Sequence, residues 1–338
     1  MSTAVGPGRE LRGRLFWFVV PLVLLAVVVL ALMWWWDTEP DHFDVAAAAR
    51  TRATERQQSV LTGSVTAAAL ARTAEGMLDK RGGYLSNDRF PPGVLMDNLP
   101  NWEFGVLTAT RDLTRALRNE FSRSQTQSVE DKDLMEADPL FSSPNDRWLL
   151  PSSESQYRKA IARVDAYATR LADNDPVDGQ FHARADNLAD YLQVVSTRLG
   201  SLSQRLSASV GQVRVDTDLA NDPSAQRAKP AESPRVVRTP WSKIDDNFYE
   251  ARGYTWALRE HLEAIRLDFA PVLADKNAMV SLEQVIRELE EAQTGLGSPI
   301  VLNGSAFGFF ANHSLVLANY VSRANAALIE LRELLRRG

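Results

Sequence analysis

The chain contains no cysteine, which excludes a disulfide framework, a thiolate metal site and a cysteine nucleophile. Histidine is scarce. His42, His182, His261 and His313 are the full set, and no HExxH or paired-ligand spacing joins them, so zinc has no evident home. His182 and Asp186 stand one turn apart, but two ligands do not define a site, and a surface or capping pair is the plainer reading. Strand-like alternation of useful length is missing. So is any basic patch with interleaved aromatics, which argues against nucleic acid as a partner. No metal and no cofactor is expected, and no catalytic residue can be named.

What is present begins at the N-terminus. "LFWFVVPLVLLAVVVLALMWWW", residues 15–36, is 22 residues long without a charge. At about 1.5 Å per residue it reaches roughly 33 Å, enough to cross a hydrocarbon core of about 30 Å. Pro21 falls in its first turns, where a lost backbone hydrogen bond costs least. Trp17 and Phe18 stand near one end and Trp34, Trp35 and Trp36 at the other, as interfacial aromatics do. A cleaved signal would have a shorter apolar region and a small-residue exit, whereas this exit is Met33-Trp34-Trp35-Trp36. Residues 15–36 therefore read as a single transmembrane anchor, with the lipid bilayer as a partner.

Arg9, Arg12 and Arg14 precede this segment; Asp37, Glu39, Asp41 and Asp44 follow it. The positive-inside rule places residues 1–14 in the cytoplasm and the remainder across the membrane. Setting aside Arg9, Glu10, Arg12 and Arg14, the rest carries 35 basic and 42 acidic residues, a formal charge of −7. The acidic stem, 37–45, would itself be repelled by anionic lipid.

Beyond the stem, apolar residues recur in threes and fours. Leu188, Leu192, Val195, Leu199, Leu202 and Leu206 form one such stripe; Leu317, Val321, Ala324, Leu328, Leu331 and Leu335 form another. Ile244, Phe248, Ala251, Leu258, Leu262 and Ile265 keep the same rule through one polar position. Stripes of this kind pack helices nearly parallel. The expected fold is all-α: the anchor, then an extramembrane bundle of about seven helices at 46–81, 100–125, 152–173, 178–212, 241–272, 275–294 and 308–337. The bundle's first part is 46–210, with an ordered loop at 82–100. A polar, proline-rich segment at 211–240 reads as a flexible linker or insert, and 241–338 completes the bundle. A crossover within one bundle is preferred over a boundary between two domains.

Two segments break the helical pattern. "RGGYLSNDRFPPGVLMDNLPNWEFG", residues 81–105, and "SPIVLNGSAFGFFANHS", residues 298–314, combine glycine and proline with clustered aromatics. Each reads first as a cover whose apolar side chains complete the core. The alternative makes them walls of one cleft, with Asn98, Trp102, Glu103, Asn303 and His313 as its candidate binding residues. "GSAFG" around Ser305 resembles a nucleophile elbow only superficially, because the serine is off-centre and no strand precedes it. "EDKDLMEAD", residues 130–138, lacks the glycine and spacing of a calcium loop and reads as a solvated acidic loop.

The strings "GGYLSNDRFPPGVLMDNLPNWEFG", "HARADNLADYLQVVSTRLGSLSQRLSASVG", "WSKIDDNFYEARGYTWAL" and "LNGSAFGFFANHSLVLANYVSRANAALIELRELL" resemble an uncharacterised bacterial family, domain of unknown function 2333, over nearly the whole chain after the anchor. The resemblance implies a Gram-negative envelope protein with a single N-terminal anchor; with the orientation read from the flanks, the expected placement is the bacterial inner membrane, single pass, with the C-terminal region periplasmic. It supplies no activity, ligand or catalytic residue. The expectation is a non-catalytic binding, scaffold or sensor component with an envelope protein partner. The alternative is an envelope hydrolase using a cleft between loops 82–104 and 298–314, with Glu103 or His313 as acid or base. Whether the stripes seal one core or leave a seam for self-association stays open on sequence alone.

Overall fold

A computed structural model describes residues 7–124, 129–173, 178–214, 235–298, 300–306 and 308–337, with no account of the side chains of 7–16, 213, 214, 235 and 236. Most of the 211–240 segment and residues 1–6 of the N-terminal tail thus lie outside the described residues.

Helix α1 (Pro7–Trp36) contains the apolar run. Its stretch Trp17–Trp36 has mean hydropathy 2.7, is not covered by the rest of the chain, and is long and apolar enough to cross a membrane. A helix that is apolar all round and bare needs a hydrocarbon surrounding or a partner.

The rest of the chain folds up and down. α2 (Val45–Glu55) leads away from α1, and α3 (Ser64–Asp79) returns. Then come α4 (Asn98–Ala116), continued by a π-helical turn at Leu117–Phe121, α5 (Lys132–Phe141), α6 (Ser153–Leu171) and α7 (Ala185–Ser207). Strands β1 (Gln212–Arg214) and β2 (Arg235–Val237) pair antiparallel. α8 (Ile244–Asp268), α9 (Ala270–Asp275), α10 (Met279–Glu291) and α11 (His313–Arg336) complete the order. One continuous buried cluster runs from Ala67 in α3 to Leu335 in α11, and both leucine stripes lie inside it.

Where more helices appear than expected, local chemistry explains it. The expected first helix splits at residues 56–63, because Gly63 takes φ 91°, a left-handed conformation that suits glycine. Gly63 has no side chain to cap α3, and Asp268 from α8 supplies the acceptor instead, bonding the Thr66 amide and hydroxyl at 2.7 Å each. The acidic stretch 130–138 is not a solvated loop. Asp131 caps α5 by accepting from the Asp133 and Leu134 amides. Leu134, Ala137 and Phe141 are buried beneath, a stripe too short to stand out in the sequence.

α4 and α8 run side by side at glycine contacts. A Cβ on Gly253 would overlap the Trp102 carbonyl, and one on Gly105 would overlap the Glu250 carbonyl. Trp102 and Trp256 meet above this contact, ring centroids 5.1 Å apart. Their helices start together, since the Asn101 amide donates to Asp246 at 3.0 Å. The bundle thus has two ends. The α1 end gathers the stem, residues 80–98, residues 144–152, the β1–β2 hairpin and residues 295–312. The far end gathers residues 56–63, 122–131, 178–184 and 269–278.

Candidate functional site

The stem is not a free tether. Residues 37–44 lie along α8, climbing it from the α1 end. Glu39 forks onto Arg252, with oxygen–nitrogen distances of 2.8 and 2.6 Å. Arg252 is buried and also donates to the Thr294 carbonyl at 3.0 Å. Burial opposes its charge, but Glu39 more than restores it, leaving the guanidinium pKa above its ordinary value. Two turns on, the His42 ring nitrogen meets the fully buried Glu260 at 2.5 Å. The rings of His42 and Phe43 pack on Trp256 at 6.2 and 6.4 Å. A bidentate buried pair of this kind fixes direction as well as distance.

A second fastening secures residues 80–98. Lys80 is paired with Glu103, and both side chains are buried. Glu103 also accepts from the Leu85 amide and the Ser86 amide, each at 2.8 Å, and from the Ser86 hydroxyl. Burial pushes the Glu103 carboxyl upward, while Lys80, Ser86 and the Leu85 amide pull it back. Tyr84 and Leu85 enter the core, so the first half of the segment is the cover its composition suggested. Its tip turns outward. Phe90, Val94 and Leu95 are exposed, and Leu95 and Met96 stand beside Met33 and Trp34 of α1 around a small hollow. Gly82 sits against the Trp36 ring.

The five residues proposed from the sequence do not share one open cleft. Trp102 and Glu103 are completely buried. Asn98 lines the hollow beside Met33 and donates weakly to Asp37 at 3.4 Å. His313 lines a different pocket of about 230 Å³, with Phe248, Arg252, Leu296 and Tyr320. Its Nδ1 accepts from the Leu302 amide at 3.1 Å, and burial pushes its pKa down. Asn303 pairs through its backbone with Asn312, whose side chain caps α11 through the Leu315 amide. The structure thus brings Trp102 to Glu103, and Asn303 to His313, but keeps the pairs apart. The acid–base role proposed for Glu103 meets a carboxyl sealed from solvent by Lys80 and the loop backbone.

The 298–314 segment also departs from expectation. Among its described residues, Phe309 and Phe310 do not turn inward: Phe309 is 97% exposed, and Phe310 and Ile300 are exposed with it. Ser305 sits on a turn closed by the Gly308 amide.

Sequence reasoning missed the stem's partners, Arg252 and Glu260. A trace was available: Tyr249, Arg252, Trp256 and Glu260 form a second stripe at helical spacing, opposite the apolar one, and all four are buried. Two buried stripes mean a helix covered on both faces, and the stem is the second cover.

A family model described as an uncharacterized protein conserved in bacteria (DUF2333) matches residues 9–338. No curated protein and no solved structure matches the chain.

Proposed function

The chain belongs to the DUF2333 family of uncharacterised bacterial proteins, and from that premise we propose that it is a single-pass envelope protein holding a binding scaffold at a fixed attitude to the membrane. α1 spans the inner membrane with the N-terminus cytoplasmic, by the positive-inside asymmetry of its flanks. The helical body faces the periplasm and acts by engaging another envelope component. Residues 211–240 serve as an insert within one bundle. The observation that carries this reading is the stem. A tether needs no such fastening, yet the Glu39–Arg252 ion pair and the His42–Glu260 contact hold it to α8. An open depression at the far end, lined by Arg184, Asp186, Asp275, Lys276 and Arg336, offers a charged surface to a partner.

The natural lack of cysteine makes the test direct. Thr51→Cys should react with a membrane-impermeant maleimide on intact spheroplasts, and Ser2→Cys only after permeabilisation; the reverse pattern overturns the orientation. Spin labels at Ala31→Cys and Ser201→Cys should give one narrow distance distribution, and a broad one overturns the fixed mounting. Crosslinking in whole cells that returns no reproducible envelope partner overturns the binding role.

A further inference from the structure

Among the described residues outside α1, the exposed phenylalanines and tryptophans are Phe90, Phe104, Trp148, Trp241, Phe309 and Phe310. All six belong to the α1 end. Phe90 and Trp148 touch edge to face at 6.0 Å, joining the 80–98 and 144–152 segments into one projection. The Arg89 guanidinium ties the same two segments by donating to the Asp146 carbonyl at 3.0 Å. Leu149 and Leu150 extend the projection, Leu150 at 94% exposure and with φ 55°, a conformation branched residues avoid. An apolar patch of this extent is unusual on a surface that faces only water.

Its position says what covers it. Leu95 and Met96 stand beside Met33 and Trp34, and Gly82 beside Trp36. The projection is therefore continuous with the last turn of α1, at the level where interfacial tryptophans settle in a spanning helix. Arg81, Arg89 and Arg147 are exposed around it, long enough to reach lipid phosphates while the rings sit deeper.

We propose that the α1 end is a lipid-docking platform: Phe90, Val94, Leu95, Trp148, Leu149 and Leu150 insert into the headgroup layer of the bilayer that α1 crosses. This rests on α1 being a spanning helix. The occupant is lipid, not protein, because the patch adjoins a segment already at the membrane surface. The fastened stem prevents the body from lifting away. Trp241, Phe309 and Phe310 extend the platform to the other side of the bundle.

The test uses the full chain in phosphatidylcholine nanodiscs doped with spin-labelled phosphatidylcholine, with bimane attached at one introduced cysteine. Probes replace Val27, Phe90, Leu150 and, at the far end, Val280. Shallow spin-labelled lipid should quench Phe90→Cys and Leu150→Cys at least about twofold more than Val280→Cys, as interfacial residues require. Deep spin-labelled lipid should quench Val27→Cys. If Val27→Cys is lipid-quenched while Phe90→Cys and Leu150→Cys are open to aqueous iodide, the platform is overturned and the spanning helix stands. Absence of lipid quenching at Val27→Cys overturns both. Probes at 90 and 150 shielded from lipid and iodide alike would mean a protein cover, which also overturns the proposal.

Discussion

The two ends of the bundle differ in where they leave their aromatics. At the far end, ion pairs cluster around one little-exposed arginine: Arg170 reaches Asp131 at 2.8 Å, Asp133 at 2.6 Å and also the more open Asp178. Arg184 meets Asp186 in the open. At the α1 end, Lys80–Glu103 is sealed inside, Arg158–Asp79 and Lys243–Asp246 stay open, and the aromatics are left outside. One chain folding in one solvent has no reason to divide its surface this way. The lipid platform proposed above would supply a reason, with the aromatic end at the interface and the other end in water.

Removing a sealed charge should give the largest effect. In Lys80→Met, Glu103 loses its cationic partner while still completely buried, and breaking such a pair costs about 3–5 kcal/mol. Urea unfolding of the full chain in detergent should show that loss with little salt dependence, since buried pairs are poorly screened. The cost should shrink in acid, where Glu103 accepts a proton and no bare charge remains. An unchanged midpoint would mean that the α1 end is not held by this pair.

The next variant strikes between the ends. Gly253→Ala places a methyl group against the Trp102 carbonyl, a backbone atom that no rotamer change can move. Overpacking commonly costs about 1–3 kcal/mol, and the upper value is expected here. Near-ultraviolet dichroism should change with it, because Trp102 and Trp256 meet at this contact. Loss of the aromatic signal without loss of helicity would separate the packing of α4 on α8 from the bundle's overall fold.

A third test turns on pH. His261 is fully buried, neither ring nitrogen has a hydrogen-bond partner among the described residues, and burial pushes its pKa down to about 3. The folded protein therefore refuses a proton that the unfolded chain accepts below about 6.5. The stability at stake is intact above pH 6.5 and drains away as pH falls toward 3, giving about 2 kcal/mol between pH 7 and pH 5. His261→Leu should lose about that much less than the parent over the same interval, measured by urea midpoints at both pH values. Equal losses would mean that other groups govern acid unfolding.

How much of this was legible follows from the range of the interactions. The stripes of α7 and α11 repeat every three or four residues, and the structure buries them as the spacing requires. The apolar length of α1 is likewise a local property. The stem was not legible as a clamp, because its partners lie 213 and 218 residues away. Read locally, four acids in eight residues look like a solvated tether. The 298–314 aromatics were assigned inward because aromatics usually are, a rule that holds when water is the only alternative. Neither Lys80 nor Glu103 announces a buried pair. Their contact depends on two glycines, Gly82 and Gly83, with φ 82° and 74°, reversing the chain between them.

The smallest expected effect belongs to the far end. Arg184 and Asp186 are each more than half exposed and meet at 2.6 Å; such pairs contribute under about 1 kcal/mol. Arg184→Ala should lower the urea midpoint slightly in dilute buffer and by less in high salt, which weakens exposed ion pairs. The contrast with Lys80→Met is the informative part, since both remove one cation from one ion pair. If the two variants respond to salt alike, the distinction between the sealed Lys80–Glu103 pair and the open Arg184–Asp186 pair is wrong. If only Arg184→Ala fades with salt, the Arg184–Asp186 pair is solvated surface chemistry, free to exchange its pairing with an incoming partner without loss of the fold.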